Sequence, residues 1–467
     1  MRRRPSSPAL PAARRWPAAR TRGTVLVVAL LIMAVIALGI TSYLNLSLGS
    51  ARLAKRGFSQ TAAFNLAETG AEEAVWSFNR ANAGAGDAWS GWATSGGVAK
   101  RAFTGFDLGG NTAGSVKVYV DNFAPAGNVR PTVVALSTVQ APGDPPVTKM
   151  IEVSLRRRSH FTAGLMAKDR VTFSGTRTSV DSWNSDPDNN PATEPVEYNE
   201  ETRNDRGSVA SVSVANTAML VNQADIWGYV STGGAAPQVG TQGSITGRST
   251  PDGVQIDAAR VATDFTATFP NVAAPEDGTL ITKFEETLGT EHKATKWRSP
   301  SLSLNGKKTL TILGDVTLVI TAGPGTHAID VTGQASIIIA KDSSLTLYAE
   351  GDVLIAGNGL ANDNLRPATF QLYGTNTHES GQSIHIAGNG KLSAVAYAPN
   401  ADIQINGNGD VMGSVIGRSI TLTGNAAFHY DESLVNLDTG MPYGISSWRE
   451  LTGSGDRSAY ADRFRGW

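Results

Sequence analysis

The chain of 467 residues contains no cysteine. Disulfide staples, thiolate nucleophiles and cysteine-ligated zinc are therefore all excluded. Charged residues are scarce at 17% and aromatics at 7%, which leaves little for a solvated helical bundle. Fifty Gly and 21 Pro favour turn-dense β structure instead. Basic charge is also missing where nucleic acid would need it. Seven of the arginines fall in residues 1–23, which leaves 33 basic against 41 acidic side chains in the remainder. A surface of that sign repels phosphate, so nucleic acid is not an expected partner.

What is present begins at the front. After the basic stretch MRRRPSSPALPAARRWPAARTRG, positions 24–51 carry no charged residue. An apolar span of about 20 residues is what a helix needs to cross a bilayer, and arginines before it favour a cytoplasmic front end. Three readings compete. A cleaved secretory signal has an apolar core of only ~7–15 residues, and this one is longer. An uncleaved signal anchor fits the length. A leader cut just before the apolar segment fits both the length and the amphipathic pattern downstream of it.

Beyond the span, Phe64, Ala67, Ala71, Val75 and Phe78 recur at helical intervals and mark one face of an amphipathic helix. A continuous helix over 24–80 would be roughly 85 Å long. Gly57 and Gly70 are expected to weaken or bend it.

Arg22-Gly23 before Thr24-Val-Leu-Val-Val, followed by the apolar helix and AFNLAETGAEEAV, resembles the N-terminal segment of type IV minor pilins, especially those of the PilX type. The resemblance covers about 60 residues. It implies cleavage by a prepilin peptidase between Gly23 and Thr24, retention of the helix in the inner membrane, and packing against other pilin-like subunits. It places the bulk of the chain in the periplasm or outside the cell, at the surface if assembled. Most major pilins carry Glu as the fifth mature residue, where this chain has Val28; that departure points to a sparse or tip component.

Residues 81–114 read as a Gly-, Ala- and Ser-rich loop. Three strands are expected after it, at 115–123, 132–140 and 148–158. Their period-two alternation makes an antiparallel meander, half buried, and so a small head over 81–159. From about 160 the text changes. DVLIAGNGL, IHIAGNGK, IQINGNGD and ITLTGNAA repeat a strand closed by Gly-Asn punctuation, with Asn358, Asn389, Asn408 and Asn425 at the corners. Units of about 20 residues that bury their apolar side only by stacking are the signature of a solenoid. The expected fold is therefore mostly β: a basic leader (1–23), a long transmembrane and amphipathic helix (24–80), the antiparallel head (81–159), a parallel β-helix (160–434), and a cap and tail (435–467). Trp448 in SSWRELTG is expected to close the open end of the coil. Residues 160–451 also resemble a poorly characterised domain that follows PilX-type segments in surface proteins. VDSWNSD, YAPNADIQINGNGD and SITLTGNAAFHYDESL have counterparts there, but no activity comes with them.

The chemistry is sparse. Asp186, Asp188, Asn190, Glu194 and Glu197 occupy positions 1, 3, 5, 9 and 12 of an EF-hand-like loop. Pro191 stands where the sharp turn wants Gly, and no helices flank it. Ca²⁺ is the ion such a loop would hold; a solvated acidic loop is the simpler reading, with no cofactor. The six histidines are scattered without a local ligand pair. His429-Tyr430-Asp431-Glu432 is the densest polar group and reads as a turn-ordering cluster. Asp352, Asp402 and Asp410 would align if their rungs stack. The expectation is a non-enzymatic pilus or pseudopilus-like minor subunit, or a surface adhesion protein displaying a solenoid. The alternatives are a membrane-anchored carbohydrate-active β-helix acting on surface polysaccharide, and a β-helical scaffold that polymerises end to end.

Overall fold

A computed structural model describes residues 24–125, 130–176, 178–190, 192–356, 359–379, 381–388, 392–407, 410–437 and 440–467. Gly23, Pro191, Asn358, Asn389 and Asn408 lie outside the described residues.

Helix α1 runs unbroken over Thr24–Asn82, 59 residues, or about 88 Å at ~1.5 Å per residue. It has two environments. From Thr24 to Phe58 every residue is exposed, and from Ser59 onward one side is buried. The apolar first part is long enough to cross a membrane. The second part carries Ala67, Ala71, Ala74 and Phe78 into the core of the head. Neither Gly57 nor Gly70 breaks it. At Gly70 a Cβ would stand 2.8 Å from Cγ2 of both Val116 and Val118, so glycine is there to let helix and sheet approach.

The head sheet contains β1 (Ala93–Ser95), β2 (Val98–Asp107), β3 (Ala113–Asp121), β4 (Thr132–Gln140), β5 (Val147–Arg157) and β6 (Tyr443–Glu450), antiparallel in that order. The three expected strands are β3, β4 and β5. The loop expected over 81–114 instead contains β1 and β2. Val116, Val118, Val133, Ile151 and Val153 face α1. Tyr119, Val134 and Met150 face the opposite way and are covered by Leu451 and Phe464, from the C-terminal segment that includes α2 (Ser454–Ala461). The head is thus helix, sheet and tail in three layers, each burying apolar side chains at about 1.5–3 kcal/mol apiece.

Residues 443–450 correct one expectation. They do not cap the solenoid; they form β6 on the free edge of β5, with Trp448 edge-on to Phe64 of α1 at 5.6 Å. An open strand edge does need covering, but the edge covered here belongs to the head. The solenoid is therefore an insertion between two neighbouring strands, β5 and β6.

The solenoid is built of parallel strands from Leu165–Phe173 to Ala427–Asp431. Its rungs do not stack in chain order. Strand Leu165–Phe173 pairs on one side with Gly207–Ser211 and Met219–Asn222, and on the other with Asp410–Gly424. The chain therefore starts in the middle of the stack. It grows to one end through Asp225–Thr232 and Ser244–Thr246, then crosses along the outside. In the crossing, Phe265, Phe269 and Val272 pack on the core, and Tyr397 Oη donates to the Pro270 carbonyl at 2.9 Å. Strand Thr287–Ser299 forms the far tip; among the described residues, the two-residue strand Thr279–Leu280 alone pairs on its outer side. From it the rungs build back until Ala427–Asp431 closes on Ser179–Trp183. Alternate residues point inward, so Leu310, Ile337, Leu345, Leu372, Ile403 and Ile420 share one continuous core.

Of the four asparagines expected at corners, Asn425 alone is described, and its own backbone is not left-handed; that conformation falls on its neighbour Gly424 and on another asparagine, Asn222. Gly424 has φ +89° and Asn222 φ +51°, the left-handed region that favours these residues. Side-chain amides bridge rungs: the buried Asn400 donates from Nδ2 to the Asn376 carbonyl at 2.8 Å, and Asn222, on an exposed corner, donates from Nδ2 to that of Phe173 at 2.6 Å.

Candidate functional site

The densest polar cluster forms where the late rungs meet the early ones. In the pairing of Ala427–Asp431 with Ser179–Trp183, His429 stands opposite Asp181, and both point away from the solenoid interior. On a bare rung they would be in water. Instead the 184–206 excursion folds over them, leaving Asp181 2% and His429 3% exposed. His429 Nδ1 lies 2.5 Å from Asp181 Oδ1. The Tyr198 ring stacks on the imidazole with centroids 3.7 Å apart, and its hydroxyl donates to Asp181 Oδ2 at 2.8 Å. Arg203 Nε is also 2.8 Å from that oxygen. Burial, with the Asp181 charge added, pushes the Tyr198 phenol well above its ordinary value, so it stays a donor. A buried carboxylate is tolerable only with such partners.

Among the described residues His429 Nε2 has no hydrogen-bond partner, and it lies 3.8 Å from Asp410 Oδ1. A base needs a nucleophile or substrate proton within about 3 Å, and the described groups here supply no nucleophile in that range. The pair is equipped to hold the excursion on the rung. The adjoining Asp431 does similar work. It accepts from Ser185 N at 3.0 Å, Ser185 Oγ at 2.6 Å and Ser433 N at 3.0 Å, the last capping a 3₁₀ turn over Glu432–Asn436. Burial raises its carboxyl. Glu432 accepts from Ser182 Oγ at 2.8 Å. The turn-ordering role expected of His429–Glu432 agrees with this geometry.

The EF-hand-like residues lie on the same excursion. Asn190 N donates to Asp186 Oδ1 at 2.9 Å and to Asp188 Oδ1 at 3.2 Å, and Asn190 Oδ1 accepts from Ala192 N at 3.2 Å. These three therefore share one tight turn, with carboxylate oxygens directed at backbone amides. Burial holds the Asp186 carboxyl above its ordinary value. Glu194 turns away to Lys341, 3.5 Å distant, while the Glu197 carbonyl accepts from Thr202 Oγ1 at 3.0 Å. Among the described residues, no group of three or more His, Asp or Glu converges as a metal site. At the N-terminus Thr24 is the first residue of α1.

Of the three aspartates, Asp352 and Asp402 share a column. Asp352 Oδ1 accepts from Ser383 N at 2.8 Å, and Ser383 pairs with Asp402. Asp402 is bound by Arg418 and Ser419. Asp410 lies apart from them, facing His429. Sequence reasoning missed Asp181, Tyr198 and Arg203. Asp181 and His429 are 248 positions apart, and no local spacing joins them; their presence in VDSWNSD and AAFHYDESL was the only signal.

Residues 282–437, the returning run of rungs, match a family described as a domain of unknown function (DUF7305). No curated protein matches the chain. Two solved structures are similar to it at low identity. The DUF3494 domain of Shewanella frigidimarina ice-binding protein_1 is 12% identical, over 58% of this chain and 94% of that one, with a TM-score of 0.23. The competence-associated pilin ComZ from Thermus thermophilus is 11% identical, over 84% of this chain and 97% of that one, with a TM-score of 0.20. At so low a superposition neither likeness bears on fold or function.

Proposed function

We propose that the chain is a membrane-anchored, non-enzymatic structural subunit of pilin-like plan, which carries a β-solenoid away from the bilayer as a stiff surface element. The observation that supports this reading is the division of α1. One unbroken helix is fully exposed and apolar over its first part and forms the core of the head over its second. Such a helix serves as anchor and as structural spine together. The head then holds the solenoid through two adjacent strands, β5 and β6. Asn79 of α1 accepts from Tyr443 N at 2.6 Å, which joins spine and exit strand directly.

In this reading prepilin peptidase cuts at Gly23-Thr24, other pilin-like subunits pack against the exposed helix, and Val28 makes the chain a minor or tip component. End-to-end polymerisation is disfavoured by the far tip. There the strand bulges between Gly289 and Ala294, with His292 at φ +58° and the charged Glu291 and Lys293 exposed. Bulges and charges of this kind blunt strand edges.

Mass spectrometry of the protein isolated from membranes tests the reading. The expected mature N-terminus is Thr24; an intact Met1 leaves a plain anchor and removes the pilin-like assignment.

A further inference from the structure

We infer that Arg52, Lys55 and Arg56, with the tip of the β4–β5 hairpin, seat the head on the anionic phospholipid headgroups of the bilayer that α1 crosses. This rests on the membrane-anchored reading above. Positions 24–51 carry no charge and span about 42 Å as helix. That matches the ~40–45 Å of a bilayer with its headgroup layers included. Arg52 follows immediately, so it and Arg56 fall at the far headgroup level. The first buried residue, Ser59, comes only seven positions later, about 10 Å higher. No room remains for a linker, and the head rests at the lipid surface.

The three cations are spaced by three and one, which places them along one side of the helix. All are exposed. Lys55 Nζ is 2.8 Å from Asp144 Oδ2 and donates to the Pro142 carbonyl at 3.0 Å. Those contacts hold the hairpin tip (141–146) at the level of the three cations. Among the described residues Arg52 and Arg56 make no ion pair, so both charges face outward. Anionic lipid phosphates are complementary to them, each basic residue near such a surface shifting the equilibrium by about five-fold.

The absence of cysteine makes the test clean. The full chain carrying Pro145→Cys, an exposed hairpin position, is labelled with an environment-sensitive dye. It is reconstituted into phosphatidylcholine vesicles with or without phosphatidylglycerol, both containing a headgroup nitroxide quencher. Quenching at least two-fold stronger in the anionic vesicles is expected, and it should be lost in R52Q/R56Q and weakened by salt. Equal quenching in both vesicles, or a difference that survives R52Q/R56Q, overturns the inference. Flotation of the same samples separates the two ideas. Protein that fails to float overturns the anchored reading itself, whereas protein that floats with an indifferent dye overturns only the headgroup contact.

Discussion

The head and the solenoid solve the problem of burying apolar surface by different routes. The head closes over short distances: each of β1 to β5 pairs with its neighbour in the chain, and α1 lies across them. The solenoid closes at a seam between strands some 250 positions apart. The head's contacts with α1 are largely apolar. The seam is rich in side-chain bonds: His429 to Asp181, Ser185 to Asp431, Ser414 to the Ala163 carbonyl at 2.6 Å, Lys168 to Asn400 at 2.7 Å, and Arg418 to Asp169 at 2.8 Å. Every rung offers the same repetitive edge, so apolar burial alone says little about which rung should stack on which. Directional polar pairs say more, because a wrong register leaves buried charges unpaired. We expect the seam's polar pairs to set register, and the head's packing to set stability.

Three measurements put that contrast at risk. The largest effect is expected at Asp181. Asp181→Ala leaves His429 and Arg203 without their shared carboxylate and should lower the stability of the solenoid by about 3 kcal/mol. Calorimetry should show the solenoid transition falling while the head transition stays. If both fall together, the two regions are one cooperative unit and the contrast fails.

Next in size is Gly70→Val. Its side chain would have to displace Val116 and Val118, and overpacking of this kind costs about 1–3 kcal/mol. Far-UV dichroism combined with proteolysis should show the head loosening over an intact solenoid. An unchanged head transition would mean that α1 shifts along the sheet at no cost.

The last measurement is one of pH. His160, between head and solenoid, lies against Tyr397 with ring centroids 4.0 Å apart and planes tilted by 32°, and burial lowers its pKa to about 4. A base held below its ordinary value contributes stability that is complete above pH 6.5. That contribution is lost as pH falls from 6.5 towards 4, because the unfolded chain binds the proton first. Denaturant midpoints should decline over that window, and His160→Phe, which keeps an aromatic ring against Tyr397, should flatten the decline. A profile identical in the variant would assign the acid sensitivity elsewhere.

Much of the architecture was legible because it is periodic. The charge-free span of α1 and the alternation in β3 to β5 and in the rungs each repeat a local rule. β2 was missed because Lys100 and Arg101 interrupt its apolar alternation. Their cations instead sit against aromatic rings, Lys100 over Tyr119 and Trp467, and Arg101 over Trp92 and Phe103, which no local count reveals. β6 was misplaced because a strand does not carry the address of its partner: Ile445 and Trp448 fit a cap as well as an edge.

The identity of each segment is written locally in the chain. Apolar length makes the exposed part of α1, period-two alternation makes the rungs, and composition rules out thiol chemistry. Where the segments go is settled only by tertiary pairing. The insertion of the solenoid between β5 and β6, the start of the coil in the middle of its own stack, and the covering of His429 by Tyr198 all depend on contacts between distant positions. Local propensity is a property of a few neighbouring residues, while a pairing is chosen by what else must be buried or satisfied when it forms.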